Sequence, residues 1–357
     1  MRRIRVSVIG AGWYAAESHI PVLAARSDVA LDGVCRLGAD DLARVRSHFG
    51  FAFAAEDHRE VLARRPDAVI VASPHHLHYL HARDALDAGC HVLCEKPMTL
   101  DPAEAWDLVA HAQASGLHLL IANGYHYLPK LARLRQLIAG GVLGRIEHLA
   151  CNFVSATRPV FEGSAGLSRW QTSFFRPDPA TWQDPAQGGG FAYGQLSHSI
   201  ALTLWLAGLE PTAIGARTGP EGGIDLFDAA HVTFAGGALG SFAGAGGLPE
   251  GQRAILTLQL VGSEGVIDLA VHRDQVAIHR HDGSSPDFAF APGDLVYRCD
   301  GPVHALVELA KGQGENLSPG AIGAATVDVI EAIQRSARSG GSTAAIADRS
   351  LPLAVAS

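Results

Sequence analysis

From residue 4 to about residue 122, short apolar runs alternate with longer stretches whose apolar residues recur at helical spacing. Ile4–Ile9, 30–35, 68–72, His91–Cys94 and 117–122 are nearly continuous apolar runs, as expected of strands buried on both faces. Between them 16–25, 40–49, 59–64, 77–88 and Pro102–Ala114 read as helices. Strand and helix alternating in this way predict a parallel sheet with helices on both sides. Local signals agree. Asp101, Pro102 and Glu104 supply an N-cap, a first-turn proline and a first-turn acid, while Gly89 and Gly116 fall just past helices.

The pattern changes near residue 124. Pro129–Ala139 is still helical, but 146–156 alternates like a half-exposed strand. Residues 157–187, rich in Pro, Arg, Asp, Trp and Phe, read as loop, and 191–208 returns to helical spacing. From 210 to about 299 come glycine-punctuated strands, among them 229–234, 254–261 and Gln275–Arg280, joined closely enough to predict an antiparallel sheet. A last helix over 320–338 precedes a polar tail. The expected organisation is therefore a first domain over 1–124, a second over 125–340 and a tail over 341–357, consistent with 357 residues and roughly 100–200 per domain. Trp106 and Trp205, set among Leu and Ala at helical spacing, are expected in cores.

Composition narrows the function classes. The chain is 48% hydrophobic and 18% charged, with a net charge of −8 and no block of like charge, which disfavours nucleic acid or an anionic membrane as partner. No apolar run reaches the roughly 18 residues a membrane span needs. Arg2-Arg3 imitates an export signal, but the apolar stretch behind it is short and runs into a glycine turn, so it reads as a first strand. Five cysteines, most of them in apolar segments, are expected to be buried free thiols, and the protein cytoplasmic.

The first chemical motif, Gly10-Ala11-Gly12-Trp13-Tyr14-Ala15, follows the first strand and opens a helix, the context in which G-x-G-x-x-A signals a dinucleotide. Gly10 makes the tight turn, Gly12 lets backbone approach a pyrophosphate, and Ala15 lets helix pack on strand. At the end of the second strand, Val34-Cys35-Arg36 offers an arginine where an acid would bond ribose hydroxyls; Arg36 favours NADP over NAD. Asp40 and Asp41 are expected to start the next helix. Glu95-Lys96-Pro97 ends the fourth buried strand, where open parallel sheets face their ligand. Only three of the 28 basic residues are lysine, and one stands here, which favours chemistry needing a compact ammonium. Pro97 restricts Lys96, with a cis bond as one way to hold it. His75, His76, His78 and His81 cluster without a carboxylate to complete a ligand set, so no metal is expected.

Together these residues resemble the Gfo/Idh/MocA family, the group of glucose–fructose oxidoreductase and inositol dehydrogenase, over nearly the whole chain. Ser73-Pro74-His75-His76-Leu77-His78 is similar to its T-P-N-x-x-H segment, and Glu95-Lys96-Pro97 matches its signature. Tyr125-His126-Tyr127-Leu128-Pro129 resembles Y-R-Y-x-P, with His126 where arginine is common. Gly188-Gly189-Gly190 followed by His198 resembles G-G-G-x-x-x-D-x-G-x-H, with Gly194 where aspartate is common, so the carboxylate that usually assists the histidine is absent. Tyr193 and Gln195 are its nearest substitutes in sequence.

The resemblance implies an α/β protein: an N-terminal Rossmann domain plus a C-terminal α/β domain with a large, open, mainly antiparallel sheet, often used for oligomerisation. It implies Lys96 and His198 as the catalytic pair, with Tyr193 beside them. It places Gly10, Gly12, Trp13, Tyr14, Arg36, Ser73, Pro74, His75, His78, Glu95 and Lys96 on the cofactor. Substrate contacts are expected from Tyr127, Trp170, Arg176, Trp182, Gln195 and His198, since aromatic faces and interspersed polar groups suit a sugar-like ligand. The expected activity is hydride transfer between the nicotinamide of NADP or NAD and a secondary hydroxyl or carbonyl of a sugar, cyclitol or sugar derivative. The expected assembly is a homo-oligomer, a dimer or tetramer. Two rival expectations stand beside it: a glycoside-cleaving enzyme that keeps its cofactor bound and oxidises transiently, and a non-catalytic sugar-sensing regulator.

Overall fold

Six short apolar segments pair side by side in parallel: β1 (Ile4–Ile9), β2 (Val29–Cys35), β3 (Phe53–Ala55), β4 (Ala68–Val71), β5 (His91–Cys94) and β6 (Leu119–Ile121), in the order β3-β2-β1-β4-β5-β6. The computed structural model describes residues 2–163, 167–168, 174–221 and 223–348. The side chains of β4 and of Val92–Cys94 in β5 are buried, which is why those strands carry no polar alternation. Strand order reverses between β1 and β4, and it is outside the C-terminal ends of such a pair that open α/β sheets bind ligands. The helices Ala39–Phe49 and Pro102–Ala114 stand as the sequence predicts, with Asp40 and Asp41 in the first turn of one and Asp101 capping the other through Ala103 N at 2.7 Å.

The chain forms two compact units. Residues up to Gly124 are joined in the first by Ser168–Thr181 and Arg298–Ala324; the second holds Tyr125–Leu167, Trp182–Tyr297 and the residues from Ala325. The expected uninterrupted second domain over 125–340 is thus crossed twice by chain that belongs to the first unit. The physical reason lies in the helix Asp300–Ala310, a stretch for which the sequence pattern predicts no element. Its Val303, Leu306, Val307 and Leu309 line up on one face and complete the hydrophobic core of the first unit. Farther on, Asn316 Nδ2 and Ser318 Oγ donate to the carbonyls of Leu119 and Ile121 at 3.0 and 2.6 Å and so cover the edge of β6.

The second unit is built on an eight-stranded sheet. Its strands are β7 (Ile146–Val154), β8 (Pro211–Gly219), β9 (Phe227–Phe234), β10 (Leu239–Ala245), β11 (Ile255–Gly262), β12 (Gly265–Ala270), β13 (Gln275–Arg280) and β14 (Ala344–Ala345), in the order β13-β12-β11-β7-β10-β9-β8-β14. Every pairing is antiparallel except β7 with β10. β14 corrects the expectation of a tail from residue 341, since Ala344 and Ala345 pair with Ile214 and Ala213. One face of the sheet buries Leu149, Cys151, Phe153, Val232, Phe242, Leu258 and Leu260. The other shows small and polar residues, with Asn152, His231, Gln259 and Asp268 exposed. Exposed Phe227 stands opposite Gly219 across the β8–β9 ladder, and Leu239 is also exposed.

Candidate active site

In the first unit, residues expected at the cofactor stand on the loops where strand order reverses. Gly10 ends β1 with φ of +82°, and a β-carbon there would overlap the backbone of Ser73 just after β4, so only glycine lets the two loops meet. A β-carbon on Gly12 would meet nothing nearer than Gly10 O at 3.9 Å. Open space above Gly12 and the turn opening at Ala15 form the cradle a dinucleotide pyrophosphate requires. The residues present fit that group.

His78 joins two of the loops. Completely buried, it places Nδ1 2.8 Å from Pro97 O and Nε2 2.7 Å from Ser73 O, tying the loop after β4 to the turn after β5. Burial pulls its pKa down, and the two carbonyls pull against burial. Pro74 and His75 complete that loop, and His81 Nδ1 lies 2.9 Å from Ser73 Oγ. Burial, with His58 nearby, brings His81 down to about 4. Among the described residues no group of three or more His, Cys, Asp or Glu is arranged to hold a metal.

Lys96 follows β5, and the Lys96–Pro97 bond is cis. Beneath it stands a pair that sequence spacing did not reveal. His19 Nε2 donates to Glu95 Oε1 at 2.7 Å, and Glu95 Oε2 accepts from Lys96 N at 3.0 Å. Burial alone would raise the Glu95 carboxyl, but these bonds hold it below its usual value and keep it an anion. For the Lys96 ammonium, loss of water lowers the pKa while Glu95 and Cys299 oppose the shift. Tyr14, whose ring sits 5.3 Å from that of His19, holds its hydroxyl 2.9 Å from Cys299 Sγ.

At the end of β2, Arg36 lies 4.0 Å over the ring of Phe175 and pairs with Asp41 at 2.8 Å. Arg44 stacks on Phe174 at 4.2 Å. These phenylalanines return from a distant part of the chain, and no local pattern pointed to them. Trp13 packs partly buried against the core of this unit. Arg176 is exposed. Trp170 lies outside the described residues.

In the second unit the triple glycine leads into a π-helical turn, Ala192–Leu196, and then the helix Ser197–Ala207. From Phe191 to Leu206 the run is buried except at Tyr193, Gln195 and His198, the three side chains the sequence singled out. π-turns inside helices often mark functional sites. The His198 ring meets Tyr297 edge-on at 5.3 Å and Phe153 at 6.5 Å, so aromatic faces flank it. Gln195 Nε2 donates to Gly194 O at 3.0 Å. Tyr127 and Trp182 are half-buried. His126 stacks flat on Trp205 at 4.6 Å inside the core, which accounts for a planar ring where arginine is common.

All five cysteines are free, and four are buried. No helix among the described residues is long and apolar enough to cross a membrane.

Comparison with known proteins agrees with these features. The profile described as "Oxidoreductase family, NAD-binding Rossmann fold" matches residues 4–123, and that of the GFO/IDH/MocA C-terminal domain matches residues 131–268. D-glucoside 3-dehydrogenase of Escherichia coli (strain K12) is 35% identical over 144 residues, which is 40% of this chain and 41% of that protein. The match therefore spans about two fifths of that relative's length. The dTDP-3,4-didehydro-2,6-dideoxy-alpha-D-glucose 3-reductase of Streptomyces antibioticus is 28% identical over 302 residues, 81% of this chain and 86% of that one. Among solved structures, levoglucosan dehydrogenase in complex with NADH and levoglucosan shares the fold, with a TM-score of 0.76 at 21% identity over 97% of this chain and 100% of the other. The chain belongs to the Gfo/Idh/MocA family of oxidoreductases.

Proposed function

We propose that the protein is an NAD(P)-dependent oxidoreductase acting on a secondary hydroxyl or carbonyl of a sugar, cyclitol or sugar derivative. The observation that carries this reading is Lys96. It is a half-buried ammonium at the end of β5, with its strand-end neighbour Glu95 locked as an anion by His19. A compact donor beside the reversal of strand order is suited to an oxygen that gains negative charge. The names of the relatives, a glucoside 3-dehydrogenase and a dTDP-sugar 3-reductase, support a sugar-like substrate.

The nicotinamide, when bound, supplies the hydride acceptor or donor. The Gly10–Gly12 turn holds the pyrophosphate, and Trp13, Tyr14, Ser73, Pro74, His75 and His78 shape the rest of the cofactor cradle. Arg36 meets a 2′-phosphate, which favours NADP over NAD. Lys96 stabilises the substrate oxygen as it becomes an alkoxide, and His198 takes or returns the hydroxyl proton. Tyr193 assists beside it, while Tyr127, Arg176, Trp182 and Gln195 contact the substrate. The open face of the eight-stranded sheet supports a homo-oligomer, and five unpaired thiols support a cytoplasmic setting.

Incubating the protein with each nicotinamide cofactor and a panel of aldoses, glycosides and inositols, and following nicotinamide absorbance, tests the reading. Net cofactor conversion by at least one of them is expected. No conversion across the panel, with both cofactors bound, overturns it.

A further inference from the structure

Two buried acids in the second unit have no place in the activity proposed above. Asp225 precedes β9 and Asp228 lies within it, and both are almost wholly inaccessible. Asp225 is bonded on every side. Its carbonyl accepts from Phe191 N at 2.8 Å, and its Oδ2 accepts from Ala192 N at 2.6 Å. Its Oδ1 faces the amide of Gln334, from the helix Gly320–Arg338, at 3.4 Å. That same Oδ1 fills the space a β-carbon on Gly190 would need, and Gly190 has φ of +106°. The third glycine of the triple is therefore shaped around this carboxyl group.

Asp228 is different. Neither of its oxygens meets a protein donor among the described residues, and the one charged group acting on it is the carboxyl of Asp225, within hydrogen-bonding reach. The chief influences on Asp225 are burial, Ala192 N–H, Asp228, its own backbone N–H and Gln334, none of them a cation. Two ionised carboxylates cannot share such a space, and two acceptors cannot bond to each other. One proton resolves both problems. An O–H···O bond between the acids gives Asp228 a partner and leaves one negative charge, which Asp225 presents to the N–H of Ala192 at the positive end of a helix. Burial acts in the same direction, raising both carboxyls and Asp228 far above its usual value.

We infer that Asp225 and Asp228 share one proton, and that through this bond Asp225 is a positioning residue that fixes the triple-glycine turn and the rotation of the helix carrying Tyr193, Gln195 and His198. Ala192 N is the first donor of the π-turn, and a rigid helical run leads from it to His198. An error of about 1 Å in the placement of a reacting group costs on the order of a hundredfold in rate. The carboxylate absent from the helix at Gly194 is not restored beside the histidine; a carboxylate reaches the start of that helix from outside. The positioning role rests on the proposed part of His198 in catalysis, whereas the shared proton does not.

The test uses the full chain. The infrared difference spectrum between wild type and Asp228→Asn at neutral pH is expected to contain the carbonyl band of one protonated carboxylic acid. Hydrogen exchange over 190–198 is expected to accelerate at least roughly tenfold in Asp225→Ala. Asp225→Asn is expected to restore slow exchange, since its amide oxygen still accepts from Ala192 N and its NH2 donates to Asp228. Asp228→Asn, whose amide donates to Asp225, is expected to exchange slowly as well. On a substrate from the panel, Asp225→Ala is expected to lower kcat at least roughly tenfold with nicotinamide affinity unchanged, and Asp225→Asn to recover it. Absence of the carboxylic-acid band overturns the shared proton. Unchanged exchange in Asp225→Ala, or exchange equally fast in Asp225→Asn, overturns the positioning role. If no variant and no wild type turns over any substrate, it is the enzymatic reading that fails, and the infrared and exchange results still decide the pair.

Discussion

The ring of Phe161 stands 2.8 Å from where a β-carbon on Gly194 would lie, with Trp182 Cζ3 at 3.3 Å. Where the family resemblance leads to the expectation of an aspartate, this chain has two aromatic rings, themselves 6.1 Å apart and tilted at 63°. The rings occupy the space that an acid at residue 194 would need. His198 is flanked instead by Tyr297 and Phe153.

Gly194→Asp should therefore destabilise the second unit without improving activity. Overpacking and burial of a charge against aromatic carbon together cost about 2–5 kcal/mol, whereas Gly194→Ala should cost about 1–3 kcal/mol. Urea unfolding of both variants provides the measurement. Combining Gly194→Asp with Phe161→Ala should recover part of the loss, as neighbours sharing one space are non-additive. A fully stable Gly194→Asp would show that the rings move aside at no cost.

Arg36 leads to a prediction on cofactor choice. Its guanidinium lies over the Phe175 ring and pairs with Asp41, so it is already ordered for the proposed contact with an adenosine 2′-phosphate. NADPH should bind about tenfold more tightly than NADPH's unphosphorylated counterpart NADH, about 1.4 kcal/mol, and Arg36→Ala should erase the difference by weakening NADPH alone. Fluorescence titration of both cofactors with both proteins decides it. Equal loss for the two cofactors would assign Arg36 to the shared part of the dinucleotide.

Asp274 gives a dependence on pH. It stands at φ of +53°, accepts from Arg253 at 2.8 Å and also from the backbone of Gly293 and Leu295, fastening the segment that leads to Tyr297. The Arg253 bond leads in holding its carboxyl far below the usual range, opposed by burial and aided by the two backbone donors. A depressed folded pKa means stability present above the unfolded value of about 3.9 and lost as pH falls through the folded one. Hydrogen exchange over 291–297 should thus accelerate on acidification below about pH 4 in wild type. In Asp274→Asn it should already be fast at neutral pH and change little with acid. A wild-type segment indifferent to acid would remove Asp274 as its anchor.

Much of the fold was legible because burial on both faces leaves an unbroken apolar run. Five of the six parallel strands and the helix Pro102–Ala114 follow from that and from capping residues. β3, three residues long, carries too little pattern to read, and the helix Asp300–Ala310 opens on Gly301-Pro302, which imitates a loop. Gly10, Gly12 and Lys96 announce themselves through local spacing. His19 with Glu95, 76 residues apart, and Asp225 with Ala192, 33 apart, do not, since only tertiary register brings them together. The same holds for Phe175 beneath Arg36 and Tyr297 beside His198.

The eight-stranded sheet bears on assembly. Its open face carries alanine, serine and threonine beside Asn152, His231, Gln259 and Asp268, with exposed Phe227 and Leu239 on neighbouring strands. A second copy would bury that face, so light scattering at micromolar concentration should return at least twice the mass of one chain. Leu239→Glu with Phe227→Lys should shift the protein toward single chains. A mass of one chain for wild type would leave the face open to water.

Lys96 and His198 give the sharpest test of the chemistry. Lys96 is poised by its surroundings: desolvation lowers the ammonium's pKa, while Glu95 and Cys299 oppose the shift. An ammonium with a lowered pKa is a stronger hydrogen-bond acid, which suits it to an oxygen becoming negative. His198 is one of three half-buried side chains on an otherwise buried helical run, and its ring is braced by aromatic edges. Replacing either by alanine should cut kcat at least roughly a hundredfold, the usual range for general acid–base groups. The two variants should differ in binding. His198→Ala should leave nicotinamide affinity unchanged, because it lies in the second unit and its proposed partner is substrate. Lys96→Ala should weaken cofactor and substrate together, as it sits between Glu95 and Pro97 on the turn that His78 ties to Ser73. In wild type the alkaline limb of kcat should fall at lower pH than the ordinary lysine value of about 10.4, and Lys96→Arg should move it upward at reduced rate. Near-normal turnover in His198→Ala would assign proton transfer to another group, with Tyr193 the first to replace.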